Sequence, residues 1–262
     1  MRALNIATTG MLAQERNIEV TSQNLANMTT TAYKRMVPEF QDLIYQNYKR
    51  VGTNSSDAGT VVPTGIQLGL GTKLSSINRI TEQGTLDRTE NPLDMAVNGK
   101  GYFQIELPTG DIAYTRDGTF KLSPEGEIVT VDGYRLVPGF IVPEDALDVS
   151  VNRSGEIQVT FANDPQPQLL GQIEIATFIN EAGLQATGGN LYTETVASGQ
   201  PLLGIPGEDN FGQVFQGFLE TANVNAIDEI TGLITAQRAY EMNAKVISTG
   251  DEMMQAATNA KR

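Results

Sequence analysis

All eleven prolines of this 262-residue chain lie between Pro38 and Pro206. Proline fixes φ and removes a backbone donor, so their confinement leaves both ends free to form long helices around a middle that cannot be one. The ends carry matching periodicity. Leu4, Met11, Ile18 and Leu25 recur every seven residues, with Ala7 and Met28 on the neighbouring row. Ala226, Leu233, Tyr240, Ile247 and Met254 repeat that spacing near the C-terminus. Ile227, Ile230, Ile234, Ala236 and Ala244 widen the second stripe and leave Asp228, Glu229, Arg238, Glu241 and Lys245 for other faces. The plain alternative is a pair of amphipathic helices docked on a globular core. Gly10, Ala13, Ala26, Gly232, Ala236, Ala239 and Gly250 shift the balance, because small residues let neighbouring backbones approach. Gln14, Thr21 and Gln237 at seam positions weaken an isolated two-helix coil, so more neighbours are expected, a hint of polymerisation.

Between the helices the pattern changes to short alternating or β-branched runs broken by Gly, Pro, Asn and Asp, as in IAYTRDGTFKLSPEGEIVTVDGYRL from Ile112 to Leu136. This reads as a β-meander, with turns at Asp117-Gly118, Glu125-Gly126, Asp132-Gly133 and Ser154-Gly155, where glycine supplies positive φ. Further strands are expected at Met95 to Asn98, Tyr102 to Leu107, Leu147 to Val151, Ile157 to Phe161 and Gly171 to Ile179. Two stretches rich in turn residues, Tyr48 to Gly71 and Ser198 to Gly212, read as extended or loop-like. The fold class is α+β: N- and C-terminal helices (1–30 and 226–262) pairing as a coiled-coil-like inner domain, an irregular extended middle layer (31–75 and 208–225), and a mostly antiparallel β outer domain (76–207).

Cysteine and histidine are both absent, which removes disulfides, thiolate nucleophiles, histidine bases and most transition-metal sites. The formal charge of -13 argues against a nucleic-acid binder, and residues 51 to 220 hold eight Lys/Arg against twenty-two Asp/Glu, so the acidity belongs to the middle. Without a run of eighteen apolar residues nothing spans a membrane, and no apolar segment follows Arg2, so no cleaved secretory signal is expected. Asp111, Asp117, Glu125, Glu127 and Asp132 could include a carboxylate pair for glycoside hydrolysis, yet they fall at turns where solvated acids belong. GIQLGLGTK at Gly65 to Lys73 misses the phosphate-loop spacing, and no calcium-loop pattern occurs. No catalytic residue, cofactor or metal is expected.

SQNLANMTTTAYKR, residues 22 to 35, ends the first helix. Asn27 tolerates the left-handed conformation of helix ends, the three threonines are poor helix formers, and Lys34 and Arg35 would face the negative end of the helix dipole. This stretch resembles the N-terminal motif of the rod-and-hook axial proteins of bacterial flagella: Asn24-x-x-Asn27, a threonine-rich turn and an aromatic-Lys pair. FLETANVNAIDEITGLITAQRAYEMNAKVISTGDEMM, Phe218 to Met254, resembles that family's C-terminal motif through Thr221 to Asn225 and Gln237-Arg238-Ala239-Tyr240-Glu241. DMAVNGKGYFQIELPTGDIAYTRDGTF, Asp94 to Phe120, looks like its shared β domain, so the resemblance covers essentially the whole chain. Ala32 departs from the pattern, since relatives usually carry glycine before the aromatic.

The resemblance implies a structural subunit, not an enzyme. Its length, meander and Tyr48 to Leu68 stretch look most like the distal-rod members, in which such an insertion, here including Gly52 and Pro63, stiffens the rod. A proximal-rod or hook-type axial subunit is the alternative; a secreted β-domain binding module is a further one. Implied assembly residues are Leu4, Met11, Ile18, Asn24, Leu25, Asn27, Ile230, Leu233, Gln237, Arg238, Tyr240, Ile247 and Met254. Implied partners are further copies of the chain, proximal rod subunits, hook protein, the P-ring and L-ring bushing proteins, the rod cap during assembly and the flagellar type III export apparatus. The implied address is the periplasm-spanning basal body, reached without a cleaved signal, with neither nucleic acid binding nor membrane insertion.

Overall fold

The structure, a computed structural model, describes residues 2–49, 64–161, 166–208 and 210–260. The chain divides into two compact units: residues 1–26, 36–78 and 225–262 form one, and residues 27–35 and 79–224 the other.

The first unit holds both helices, α1 (Arg2–Ala26) and α2 (Ala226–Asn259). Asn225 caps α2 by accepting from the Ile227 N–H at 3.1 Å, and Asp228 and Glu229 in the first turn face the positive end of the helix dipole. The helices run antiparallel. A Cβ added at Gly250 would meet the Leu4 side chain, one at Gly10 would meet Asn243, and Asn24 bonds to Glu229 at 3.2 Å. Met36–Asp42 pairs with Thr72–Arg79, and Tyr45–Lys49 pairs antiparallel with Ile66–Gly69, Asn47 opposite Gln67. The stretch read as extended or loop-like is therefore extended and laddered at its described ends.

The second unit is built on one antiparallel strand system. Tyr102–Glu106 pairs with Ile112–Thr115 on one edge, and with Arg135–Leu136 and Ile175–Thr177 on the other. Successive side chains on a strand point to opposite faces, and here each face has its own core. Phe103, Ile105, Ala113, Ile175 and Leu191 join Phe120, Ile128, Leu136 and Ile157 in the larger one. Their immediate neighbours Tyr102, Tyr114, Ala176 and Tyr192 join Phe178 and Leu184 in an aromatic cluster, with the Tyr114 and Phe178 rings edge to face at 4.8 Å. A separate three-stranded sheet orders Ala146–Val151, Glu156–Phe161 and Gln168–Gln172.

Two expectations for the middle change. The single strand expected from Gly171 to Ile179 is two, Gln168–Gln172 and Ile175–Thr177, because the first pairs with Glu156–Phe161 and the second with Tyr102–Glu106. Gly126, Gly133 and Gly155 have positive φ as their turns require, but Gly118 does not. A Cβ at Gly118 would lie 1.4 Å from the Met95 carbonyl oxygen, so glycine there permits a close backbone approach.

Candidate assembly surfaces and the clip at the chain ends

In α1 the row Leu4, Met11, Ile18 and Leu25 is half-buried, and the fully buried positions are Ala7, Ala13, Val20, Thr21 and Asn24. In α2, Leu233 and Ile247 are half-buried, while Ile230, Gln237, Arg238, Tyr240 and Met254 are exposed. The second row of the α2 heptad is Glu229, Ala236, Asn243 and Gly250; Glu229 and Ala236 are buried, Asn243 and Gly250 half-buried. Ala236 and Gly250 in that row were expected among the small packing residues, whereas Glu229 and Asn243 were not, because a polar residue carries no seam signal. Glu229, expected on an outer face, is buried since the Asn24 amide receives it. Ile227, Ile230 and Ile234, expected to widen the buried stripe, stay exposed at 75%, 45% and 45%. Further along α2, Met242, Lys245, Val246, Thr249 and Met253 share one exposed face of the helix, apolar at Met242, Val246 and Met253.

Asn24 does more than pack. Its amide nitrogen donates to the Met36 carbonyl at 2.8 Å and its oxygen accepts the Met36 N–H at 2.9 Å, so one side chain satisfies both backbone groups where the strand Met36–Asp42 begins. Asn27, half-buried, closes the turn after α1: its carbonyl accepts from the Thr30 N–H at 3.0 Å and its side-chain oxygen from the Thr30 hydroxyl at 3.2 Å. The left-handed residue is not Asn27 but Ala32, at φ 57°. Tyr48 and Leu68 are about half exposed, and the Arg2 guanidinium lies 4.9 Å from the Tyr48 ring centroid. Gly52 and Pro63 lie outside the described residues.

Lys34 is not a helix-dipole cap. It is buried, and its ammonium donates to the Glu220 carboxylate and to the Glu82 carbonyl, the latter at 2.9 Å. The other Glu220 oxygen accepts from Arg116 Nη1 at 3.2 Å, while Arg116 Nη2 donates to the Gly99 carbonyl at 2.6 Å and the guanidinium lies 5.2 Å from the Tyr102 ring centroid. Burial, with Arg116 repulsion, pulls Lys34 below the usual lysine range more than Glu220 raises it. Nearby, Asn223 accepts from the Arg35 N–H at 2.7 Å and donates to the carbonyls of Ile80 and Glu82 at 3.0 and 2.9 Å. Nothing in hydrophobic periodicity marks Glu220, Arg116 or Asn223. Their roles come from partners distant in sequence.

Among the described residues no group of three or more acidic, Cys or His side chains could hold a metal. Among them no helix is long and apolar enough to cross a membrane. Comparison with known proteins gives three matched segments. Residues 4–34 match the flagella basal body rod protein family, 96–159 the flagellar hook protein FlgE/F/G D1 domain, and 216–260 the flagellar basal body rod FlgEFG protein C-terminal family. Lys34, Arg116 and Glu220 fall one in each. The chain is 53% identical over 261 residues to flagellar basal-body rod protein FlgG of Caulobacter vibrioides, with 100% of each chain covered. It is 44% identical to that of Borreliella burgdorferi, covering 100% of this chain and 99% of the relative, and 36% identical to that of Bacillus subtilis, with 100% of each covered. Identity at this level over full length leaves no part of the chain unmatched, and the chain belongs to the FlgG family of flagellar basal-body rod proteins.

Proposed function

We propose that the chain is a structural subunit of the flagellar distal rod, polymerising through its terminal helices into a tube that transmits torque to the hook and encloses the export channel. The observation that carries this reading is the surface of α2. Ile227, Met242 and Met253 remain 75%, 65% and 65% exposed while only one row of the helix is buried in its own unit. A helix that carries apolar residues on several sides is stable when neighbours cover those sides, and further copies of the chain would supply them. Full-length similarity to rod proteins supports the same conclusion.

On this reading the terminal segments 1–30 and 226–262 line the inner tube, 31–75 with 208–225 form the linking layer, and 76–207 face outward. The partners would be proximal rod subunits, hook protein, the P-ring and L-ring proteins, the rod cap and the type III export apparatus, at a periplasmic address. Torque needs stiff packing and no bond chemistry. Hydrogen exchange on soluble subunit and assembled rods tests the reading: amides of 226–259 should gain protection on assembly, together with those of 2–26. Equal protection in both states would mean that the helices have no further neighbours and would sink the proposal.

A further inference from the structure

The backbone of residues 31–35 is held by groups distant in sequence. The Thr31 carbonyl accepts from Asn190 Nδ2 at 3.1 Å, and the Ala32 N–H donates to the Glu220 carbonyl at 2.7 Å. The Tyr33 carbonyl accepts from the Asn223 N–H at 3.4 Å, the Arg35 N–H donates to Asn223 Oδ1, and the Arg35 carbonyl accepts from the Ile80 N–H at 2.8 Å. Buried backbone groups must be paired, so this segment has no low-energy docked state until those partners are present.

Glu220 is the hub. Its backbone carbonyl takes Ala32; one carboxylate oxygen takes Lys34 and the Gly84 N–H, and the other takes Arg116. Lys34, Arg116 and Glu220 are 3%, 4% and 1% exposed, so one carboxylate balances two cations out of water. Without it the ammonium and guanidinium would be left buried and mutually repelling, and the element able to leave is the short segment that carries Lys34. The fit is tight, since a Cβ at Gly84 would lie 2.0 Å from the Thr221 carbonyl oxygen.

We propose that Glu220 is a completion latch: residues 27–35 dock onto the β-rich unit only when the strand Phe218–Glu220 is in place and its carboxylate can receive Lys34. The segment leaving α1 and the segment entering α2 are thereby fixed by one event, and a chain not yet formed through residue 223 leaves residues 27–35 undocked. The latch is a property of the single chain and stands whether or not the polymer reading does.

The test is hydrogen exchange on the full-length soluble chain carrying Glu220→Gln or Lys34→Met. Peptides covering 27–35 and 80–85 should exchange at least about tenfold faster in each variant, while 102–106 and 157–161 keep wild-type protection. Unchanged protection at 27–35 overturns the latch. So does loss of protection in the core strands to the same extent, or failure of both variants to fold, since the cluster would then be part of the general core. If Glu220→Gln alone fails to fold, Lys34→Met, which keeps Glu220 paired with Arg116 and Gly84, decides between the same outcomes.

Discussion

Ala32 sits at φ 57° with its side chain 2% exposed, and its N–H is committed to the Glu220 carbonyl. An L-residue in the left-handed region costs roughly 1–2 kcal/mol, whereas a buried methyl returns about 0.8 kcal/mol. Ala32→Gly should therefore leave stability unchanged or raise it by up to about 1 kcal/mol, read from the urea midpoint. A loss greater than about 1 kcal/mol would mean that the methyl packs better than its burial implies. Asn24, Asn27 and Asn223 explain the asparagine-rich ends of the chain: each closes a turn or clamps foreign backbone, a task for which a short amide has both donor and acceptor. The motif was visible at once. Which backbone each amide clamps was not, because Met36, Thr30 and Arg35 are assigned by the path of the chain.

At the scale of elements, apolar spacing marked one row on each helix, half-buried in α1 and at Leu233 and Ile247 of α2 but exposed at Tyr240 and Met254, and it did not mark Glu229 or Asn243. Glu229 and Asn243 look solvent-facing until the opposite helix supplies Asn24 and room at Gly10. Leu233 belongs to the legible row, is half-buried, and lies one turn from buried Ala236. An aspartate there places an unpaired carboxylate against apolar neighbours. Leu233→Asp should abolish swimming and rod assembly while the β-rich unit keeps its stability, measured by motility and by exchange protection at 102–106. Ile247→Asp should do the same, and normal swimming in both would remove this row from the assembly surface.

For the molecule as a whole, the alkaline limit is set in the β-rich unit. Burial, above all, raises the phenols of Tyr102 and Tyr192 above their ordinary value of 10.0. In the unfolded chain they ionise at 10.0, in the folded chain only higher, so their contribution to stability is complete below that pH and falls as pH rises past it. Lys34 has the opposite sign, since its depressed ammonium is a cost that shrinks as pH approaches 10.5. With three such phenols, Tyr102, Tyr114 and Tyr192, against one amine, the urea midpoint should drop above pH 10, and the phenolate band of these tyrosines should appear together with unfolding. Phenolate formation at Tyr102 or Tyr192 in a fully folded chain would contradict the burial argument.

The sequence by itself determined the helical ends, the β middle and the antiparallel turns, because proline exclusion, heptad spacing and Asp-Gly or Glu-Gly turns act over a few residues. It also determined the absence of thiol and imidazole chemistry, which is a matter of residue types alone. Only the tertiary structure decided that Lys34 answers Glu220 rather than a helix terminus, that Gly118 serves the Met95 carbonyl rather than a turn, and that the two faces of Tyr102–Glu106 carry separate cores. Those outcomes depend on which distant groups the fold brings within hydrogen-bond reach and shields from water, and no local spacing encodes that distance.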